Sequence, residues 1–385
     1  ADPYSVNLDK VIDRIYASGE AADAWGYLFG ITSNTVTNGA REVSKNNPDV
    51  TWEKAFKRNY GIDINFFDDR LSATAEYYRE HRWDILLRDG TAPGMLGFLT
   101  PYANLGEVNS WGWELSLKWN DKIGKNFRYW ATMNLSYNQK EAPQDNDYQY
   151  GKNHRIGSRS QYVFWRYYDE STPELYEKTF NRPFPTHSVV LENGDAVYVD
   201  LNGDRKIDAN DMSYDYGFTD DPEYMIGLNL GFSWKNWEVN TQWTGAWNVS
   251  RMISDVFRQP FVSSAGSNAG GLLSYHLDHT WTPENPSQSA EYPRATQVNA
   301  SNNYATSTLF EKDAKYLRLK TLQVAYNFQF PLMKKLGLTT CQLAFSGYNL
   351  LTFSPYLWGD PEATASNAPT YPLTKTYTLS LKLGF

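Results

Sequence analysis

The chain has 385 residues and a net charge of −8, which argues against a general nucleic-acid binder because such a protein needs a basic footprint. One cysteine, Cys341, excludes an internal disulfide framework and any cysteine-rich metal site. Its 14 Trp, 28 Tyr and 19 Phe coexist with a mean hydropathy of −0.60, so the chain is aromatic-rich and polar at once, unlike disordered segments. No apolar run is long enough for a transmembrane helix. The opening Ala1-Asp2-Pro3-Tyr4 lacks the basic and apolar regions of a signal peptide, as expected of a cytosolic chain or of one whose start has been removed.

Residues 8–16 carry the one modest 3.6-residue pattern, a helix candidate. After them, period-two alternation predicts nine long strands: 58–66, 71–87, 111–119, 126–138, 226–235, 237–248, 315–328, 339–349 and 375–385. In 111–119, Trp111, Trp113, Leu115, Leu117 and Trp119 oppose Gly112, Glu114, Ser116 and Lys118. In 126–138, Phe127, Tyr129, Ala131, Met133, Leu135 and Tyr137 oppose Arg128, Trp130, Thr132, Asn134, Ser136 and Asn138. In 226–235, Ile226, Leu228, Leu230, Phe232 and Trp234 oppose Asn229, Ser233 and Lys235. Successive strand residues point to opposite faces, so each strand has one greasy and one wet face. The fold class is all-β.

Two architectures suit such strands: a soluble sandwich that buries one face of each sheet, and a transmembrane antiparallel β-barrel that turns one face to lipid and the other to a lumen. Three features favour the barrel. The strands run beyond the usual soluble length of about 5–6 residues. Amides and charges recur on the wet faces. Aromatics gather at strand ends beside short turns, as in Trp234-Lys235-Asn236-Trp237 and Phe66-Phe67, like an interfacial girdle. Phe127, Tyr129, Leu135, Leu228, Leu230 and Phe232 are then expected to face lipid, and Arg128, Asn134, Asn229 and Lys235 the lumen.

Connection lengths assign sides. Short ones (67–70, 120–125, 235–236, 331–338) alternate with long ones (88–105, 140–223, 249–314, 350–374), as short periplasmic turns alternate with long extracellular loops. The strand-like stretch 160–168 breaks parity if it spans, so it belongs to the outer loop 140–223. Residues 1–57 read as an extracellular loop region and 58–385 as a barrel portion with long outer loops 140–223 and 249–314. The alternation in 375–385 runs to a terminal Phe385, resembling the recognition signal of outer-membrane barrels. Nine is an odd strand number where single-chain bacterial barrels use even ones. Unpaired edges are not tolerated in hydrocarbon. The chain is therefore expected not to be a complete barrel, with strands 58–66 and 375–385 pairing with strands outside these residues.

Chemistry concentrates at 200–211. Asp200, Asn202 and Asp204 take loop positions 1, 3 and 5; Lys206 would give its carbonyl at 7; Asp208 stands at 9 and Asp211 at 12. That is EF-hand spacing with Asp in place of the bidentate Glu, and it points to a structural Ca²⁺ site, since no His or Cys participates. Arg205 stands at position 6, where Gly is usual. His276, Asp278 and His279 are a weaker metal candidate, with a plain surface loop as the alternative. Asp220, Asp221 and Glu223 would need a facing carboxylate to serve a glycosidase. No nucleophile elbow, P-loop or HExxH is present, and the chain reads as no enzyme.

The stretches Asn47-Pro48-Asp49-Val50-Thr51-Trp52-Glu53-Lys54, Gly194-Asp195 through Asp211, Trp281-Thr282-Pro283-Glu284-Asn285-Pro286, Tyr316-Leu317-Arg318-Leu319-Lys320, Gly347-Tyr348-Asn349-Leu350 and Asp360-Pro361-Glu362, ending at Phe385, come in this order. Together they resemble the C-terminal part of a SusC/RagA-type TonB-dependent outer-membrane transporter of Bacteroidetes. The resemblance implies about nine strands of a 22-stranded barrel in the outer membrane of a Gram-negative cell, set in its lipid. It also implies an N-terminal plug and barrel portion, a SusD-like surface lipoprotein as lid, and import of glycans or peptides driven through TonB–ExbB–ExbD. The family's calcium-like segment maps onto Asp200, Asn202 and Asp204, with Arg205 departing from its usual Gly. Loop aromatics such as Tyr162, Trp165, Tyr167 and Trp358 would stack on sugars, pack on the lipoprotein or pack locally. The rival readings are a soluble calcium-stabilised carbohydrate-binding or adhesin β-module, and a glycosidase; a barrel needs detergent where these do not.

Overall fold

All nine predicted long strands form in the computed structural model. It describes residues 47–88, 100–142, 156–260, 272–331, 333, 337–363 and 372–385, and the backbone of four short strands before residue 43. Those four are β1 (Ile12–Arg14), β2 (Gly26–Phe29), β3 (Thr35–Asn38) and β4 (Ala40–Glu42). The rest are β5 (Lys54–Phe66), β6 (Leu71–Arg88), β7 (Tyr102–Ile123), β8 (Phe127–Glu141), β9 (Gln161–Tyr162), β10 (Phe164–Tyr167), β11 (Ala196–Tyr198), β12 (Met212–Ser213), β13 (Tyr224–Trp234), β14 (Trp237–Trp247), β15 (Ser250–Met252), β16 (Glu311–Asp313), β17 (Tyr316–Asn327), β18 (Thr340–Phe353) and β19 (Thr376–Gly384). Helices α1 (Thr172–Phe180), α2 (Asp255–Arg258), α3 (Ser274–His279) and α4 (Ala300–Asn303) lie in the long connections.

One antiparallel sheet holds the long strands in the order β19-β18-β17-β14-β13-β8-β7-β6-β5, so each pairs with its neighbour in the series. Several strands outrun the alternation that announced them. β5 begins at Lys54, inside the region expected to be loop, and β7 spans 22 residues where nine were expected. The 8–16 helix candidate does not hold at its centre: Ile12, Asp13 and Arg14 pair with Glu42, Arg41 and Ala40, and this pairing overrides a weak periodicity. The remainder of 8–16 lies outside the described residues. The stretch 160–168 stays out of the main sheet, as expected; β9 pairs with β12 and β10 with β11.

Residues 1–58, 79–110 and 141–148 form one compact unit, and the remainder forms another. In the first, polar ties join β5, β6 and β7: Lys54 reaches Asp84 (2.7 Å), Lys57 reaches Glu80 (3.1 Å), and the Asn104 amide donates to the carbonyls of Thr51 and Asp84. The second contains the ladders from β8 to β19. Its turn at 67–70 puts Phe67, Asp68 and Asp69 at positive φ, and the two-residue turn between β13 and β14 does the same with Lys235 (φ 54°). Lys235 therefore sits in a turn rather than on the wet strand face expected for it, its ammonium 5.2 Å from the Trp234 ring centroid. Two apolar clusters, Ile253/Tyr292/Tyr304/Phe310 and Ala196/Tyr198/Ile207, lie in the long connections rather than on the sheet.

Candidate functional site

The sheet has two unlike faces. Tyr129, Phe232, Val239, Val324, Phe345 and Leu379 stand side by side across six strands; one residue along, Trp130, Gly231, Asn240, Gln323, Ser346 and Thr378 form the parallel row on the opposite face. Leu135, Leu228 and Leu230 share the first face with Phe127, and Arg128, Asn134 and Asn229 share the second. No layer of described residues covers the apolar side: Leu230 is 41% exposed, Leu381 62% and Leu379 71%. A soluble sandwich would bury these groups.

Aromatics bound the apolar face at two levels. At one end Phe127 stacks on Phe232 (5.9 Å) and Trp237 meets Tyr326 edge-on (4.9 Å). At the other, Tyr224 lies against Tyr137 (4.7 Å) and stacks on Trp247 (5.3 Å). Along β13 the two levels are marked by Tyr224 and Trp234. Ten residue steps at about 3.4 Å make roughly 34 Å of strand, and a tilt near 45° leaves about 24 Å of height. Outer-membrane barrels carry an apolar band of about 25 Å between aromatic girdles.

The polar face is crowded in places. Trp130 lies over Gly231, where any Cβ would overlap the indole. Tyr78 donates to Asn138 (3.0 Å) and Ser116 to Asn134 (2.7 Å). On β17 an extra residue, Lys320, interrupts the pairing with β14, and opposite it Asn349 and Leu350 bulge from β18. Such bulges re-aim side chains. Arg318, 2% exposed, here binds Asp360 and Glu362 (both 2.6 Å) and Thr352 (3.0 Å), while Lys320 reaches Glu362 (3.2 Å).

The long connections after β8 and β14 are tied together by charge. Asp195 is fully buried and accepts from Arg294 Nε (2.6 Å), Asn299 (2.6 Å), Asn303 (2.8 Å) and the Glu192 N–H (2.9 Å). Gly194 beside it takes φ 89° beneath the Trp281 ring, a place no Cβ fits. Arg159 pairs with Glu311 and Asp220, and Arg251 with Asp220 (2.9 Å). Burial pushes the Glu311 carboxyl up, against the pull of Gln161 and Arg159. None of these hubs was singled out in advance as a group, because a lone charged residue in a loop carries no periodic signal.

In the 200–211 loop, Asp200 accepts from the N–H groups of Gly203 (2.6 Å) and Arg205 (3.0 Å), Asn202 from Asp204 (2.8 Å), and Asp204 from Lys206 (2.9 Å). Asp208 caps a single 3₁₀ turn, and Asp211, fully buried, accepts from Leu201 (2.8 Å) and Asp208 (2.9 Å). Burial pushes the Asp211 carboxyl up, and Asp200 nearby adds to this. Arg205 takes φ 70°, the left-handed conformation for which Gly is the usual choice. Among the described residues no three His, Cys, Asp or Glu side chains are gathered as a metal ligand set.

The other candidates separate. His276 is buried, its Nε2 2.8 Å from the Phe257 carbonyl; His279 stacks on Tyr275 (3.8 Å); Asp278 is exposed. Asp220 is held by two arginines, Glu223 binds the Asn248 amide (2.9 Å), and Asp221 is exposed. Tyr167 is fully buried with its hydroxyl on the Ala290 carbonyl, Tyr162 packs on Tyr198, and Trp165 is held between Tyr176 and Phe180. Trp358 lines a pocket beside β17 and β18.

Residues 12–350 match the family model described as TonB dependent receptor-like, beta-barrel. The TonB-dependent receptor P26 of Formosa agariphila is 27% identical over 411 residues, covering 99% of this chain and 39% of the relative. The TonB-dependent receptor SusC of Bacteroides thetaiotaomicron is 25% identical over 369 residues, covering 88% and 32%. A chain of the RagAB peptide importer in its open-open state superposes with a TM-score of 0.63 at 22% identity, over 91% of this chain and 36% of that one, a likeness of fold. This chain thus spans less than two fifths of the length of these relatives.

Proposed function

Because the chain belongs to the TonB-dependent receptor-like β-barrel family of outer-membrane transporters, we propose that its residues form part of the wall and rim of an importer for oligosaccharides or peptides. The observation that carries this reading is the two-faced sheet, apolar and uncovered on one side, amide-rich on the other. In water so large an apolar face would be a liability; in lipid it is required. The order of the described strands ends at β5 and β19. Unpaired backbone groups in hydrocarbon cost several kcal/mol each, so both edges are proposed to pair with further strands of the same transporter. The plug of that transporter would engage TonB–ExbB–ExbD, and a SusD-like lipoprotein would close over the rim formed by the long connections.

The test is uptake by cells. A strain lacking the transporter should lose accumulation of fluorescent oligosaccharides or oligopeptides, a protonophore should abolish it in the parent, and a surface lipoprotein should co-purify in detergent. Equal accumulation in both strains would overturn the import reading.

Calcium at Asp200, Asn202, Asp204, the Lys206 carbonyl, Asp208 and Asp211 is part of the same proposal, as a stiffener of the connection after β8. Ligand spacing and the left-handed Arg205 support it. Occupancy would exchange part of the loop's own N–H partners for the ion. Terbium emission sensitised by Tyr176, whose hydroxyl accepts from the Asp200 N–H, and displaced by Ca²⁺, would report the site; no emission from the native protein would count against it.

A further inference from the structure

A pocket of about 740 Å³ lies where β17 and β18 meet residues 273–292, 357–361 and 372–375, within the usual range for ligand sites. Its aromatic wall is fixed in place. The Trp358 indole N–H donates to the Tyr292 hydroxyl (3.0 Å), and the Lys312 ammonium stands 5.3 Å from its ring centroid. Tyr275 donates to Glu291 (2.8 Å) and stacks on His279. Leu273 and Leu373 complete an apolar cup, both substantially exposed.

Two polar groups in the lining remain open. The Asn349 amide nitrogen donates to the Thr374 carbonyl (3.2 Å), but its buried Oδ1 has no partner among the described residues. Asn349 sits in the bulge of β18 at φ 54°, a strained conformation of the kind that clusters at binding sites. Lys375 has no ionic partner among the described residues, whereas Arg318 is already spent on Asp360, Glu362 and Thr352. A buried acceptor without a donor is costly to leave unmet. The pocket thus calls for a ligand with one donor, one anion and one bulky apolar group. The last residue of a peptide carries all three features: an amide N–H, an α-carboxylate and a side chain.

We propose that this pocket binds the carboxyl end of a peptide whose last residue is large and apolar, with the carboxylate on Lys375, the final amide N–H on Asn349 Oδ1 and the side chain against Trp358 and Tyr275. This rests on the import reading and names its substrate class. The test uses the intact transporter in detergent and an amino-terminally fluorescein-labelled Gly-Ser-Gly-Phe, read by anisotropy. The free acid should bind at least about tenfold tighter than its carboxamide and than the Gly-terminated peptide, as expected for a charge-assisted contact. Lys375→Gln should erase the acid-to-amide difference while the amide still binds. Equal binding of acid and amide to the native protein would overturn the proposal, and that comparison needs no variant. Retention of the difference in Lys375→Gln would overturn it too. Transporter-dependent peptide uptake by cells alongside equal acid and amide binding would leave import standing and remove only the pocket; equal accumulation with and without the transporter would remove both.

Discussion

Placing Arg at Leu230 measures whether the apolar face meets lipid. Leu230 lies between Ala131 and Thr241 on the neighbouring strands, four residues from Trp234 and six from Tyr224. Only one residue step separates it from the midpoint of the two aromatic levels, which at a tilt near 45° is about 2.4 Å from the midplane. A cationic side chain there costs about 2–4 kcal/mol. At about 1.4 kcal/mol per decade this is a roughly 30- to 700-fold loss in the folding equilibrium. Asn229→Arg is the matched control, one residue away on the polar face, and should change stability far less. Urea titration of the intact transporter in phospholipid vesicles, followed by tryptophan fluorescence, reads both. A Leu230→Arg cost below about 0.5 kcal/mol, or an equal cost for Asn229→Arg, would refute the assignment of faces.

Gly231→Val should drive a side chain into the Trp130 indole, destabilising the barrel by about 1–3 kcal/mol and shifting tryptophan emission; an unchanged spectrum and melting curve would show that Trp130 does not lie there. Asp195→Ala strands Arg294, Asn299 and Asn303 around an uncompensated site, and local stability should fall on the order of 3–5 kcal/mol, seen as faster hydrogen exchange over 190–199 and 294–303; unaltered protection would contradict a structural role for this hub. Burial holds the His187 imidazole down to about 4. The unfolded segment therefore binds the proton more readily, and stability is lost as pH falls from about 6.5 towards 4, by at most about 3 kcal/mol. Protection factors over 181–199, taken relative to the intrinsic exchange rate at each pH, should fall across that window in the native protein and not in His187→Asn; an unchanged native protection would mean the ring is more hydrated than its packing on Phe184 and Tyr198 implies.

What was legible in the sequence is what repeats. Alternation of apolar and polar residues located every long strand and the faces of β8 and β13, because a one-residue slip would exchange the faces. It stopped short where alternation weakens but pairing continues, as at Ala103–Asn109 within β7, whose partner ladder supplies the order that the side chains do not announce. Lys235 was misplaced for the opposite reason: it continues the polar series of β13, yet two residues are needed to turn the chain, and the turn takes the position. Within 200–211 the spacing was visible, but not that the carboxylates are turned to their own backbone N–H groups. Side-chain direction in an irregular loop has no period to announce it; here the Asp200 carboxylate turns to the Gly203 and Arg205 N–H groups while Tyr176 holds the Asp200 N–H.

The division between wall and connections has a physical logic. In lipid the strands are held by their backbone ladder, and burial of apolar groups against one another contributes little. The connections stand outside that solvent, and their described residues form two small apolar clusters, so much of their fixed shape must come from elsewhere. Asp195 joins the connection after β8 to Arg294 and the asparagines of the one after β14; Arg159 does the same through Glu311, and Arg318 ties residues 360–362 to β17. Buried charges of this kind add little net stability, yet each accepts one geometry and penalises others heavily. Such specificity fixes the shape of the connections where a larger apolar core is missing, and Asp195, Arg159 and Arg294, which supply it, lie where the sequence has no period.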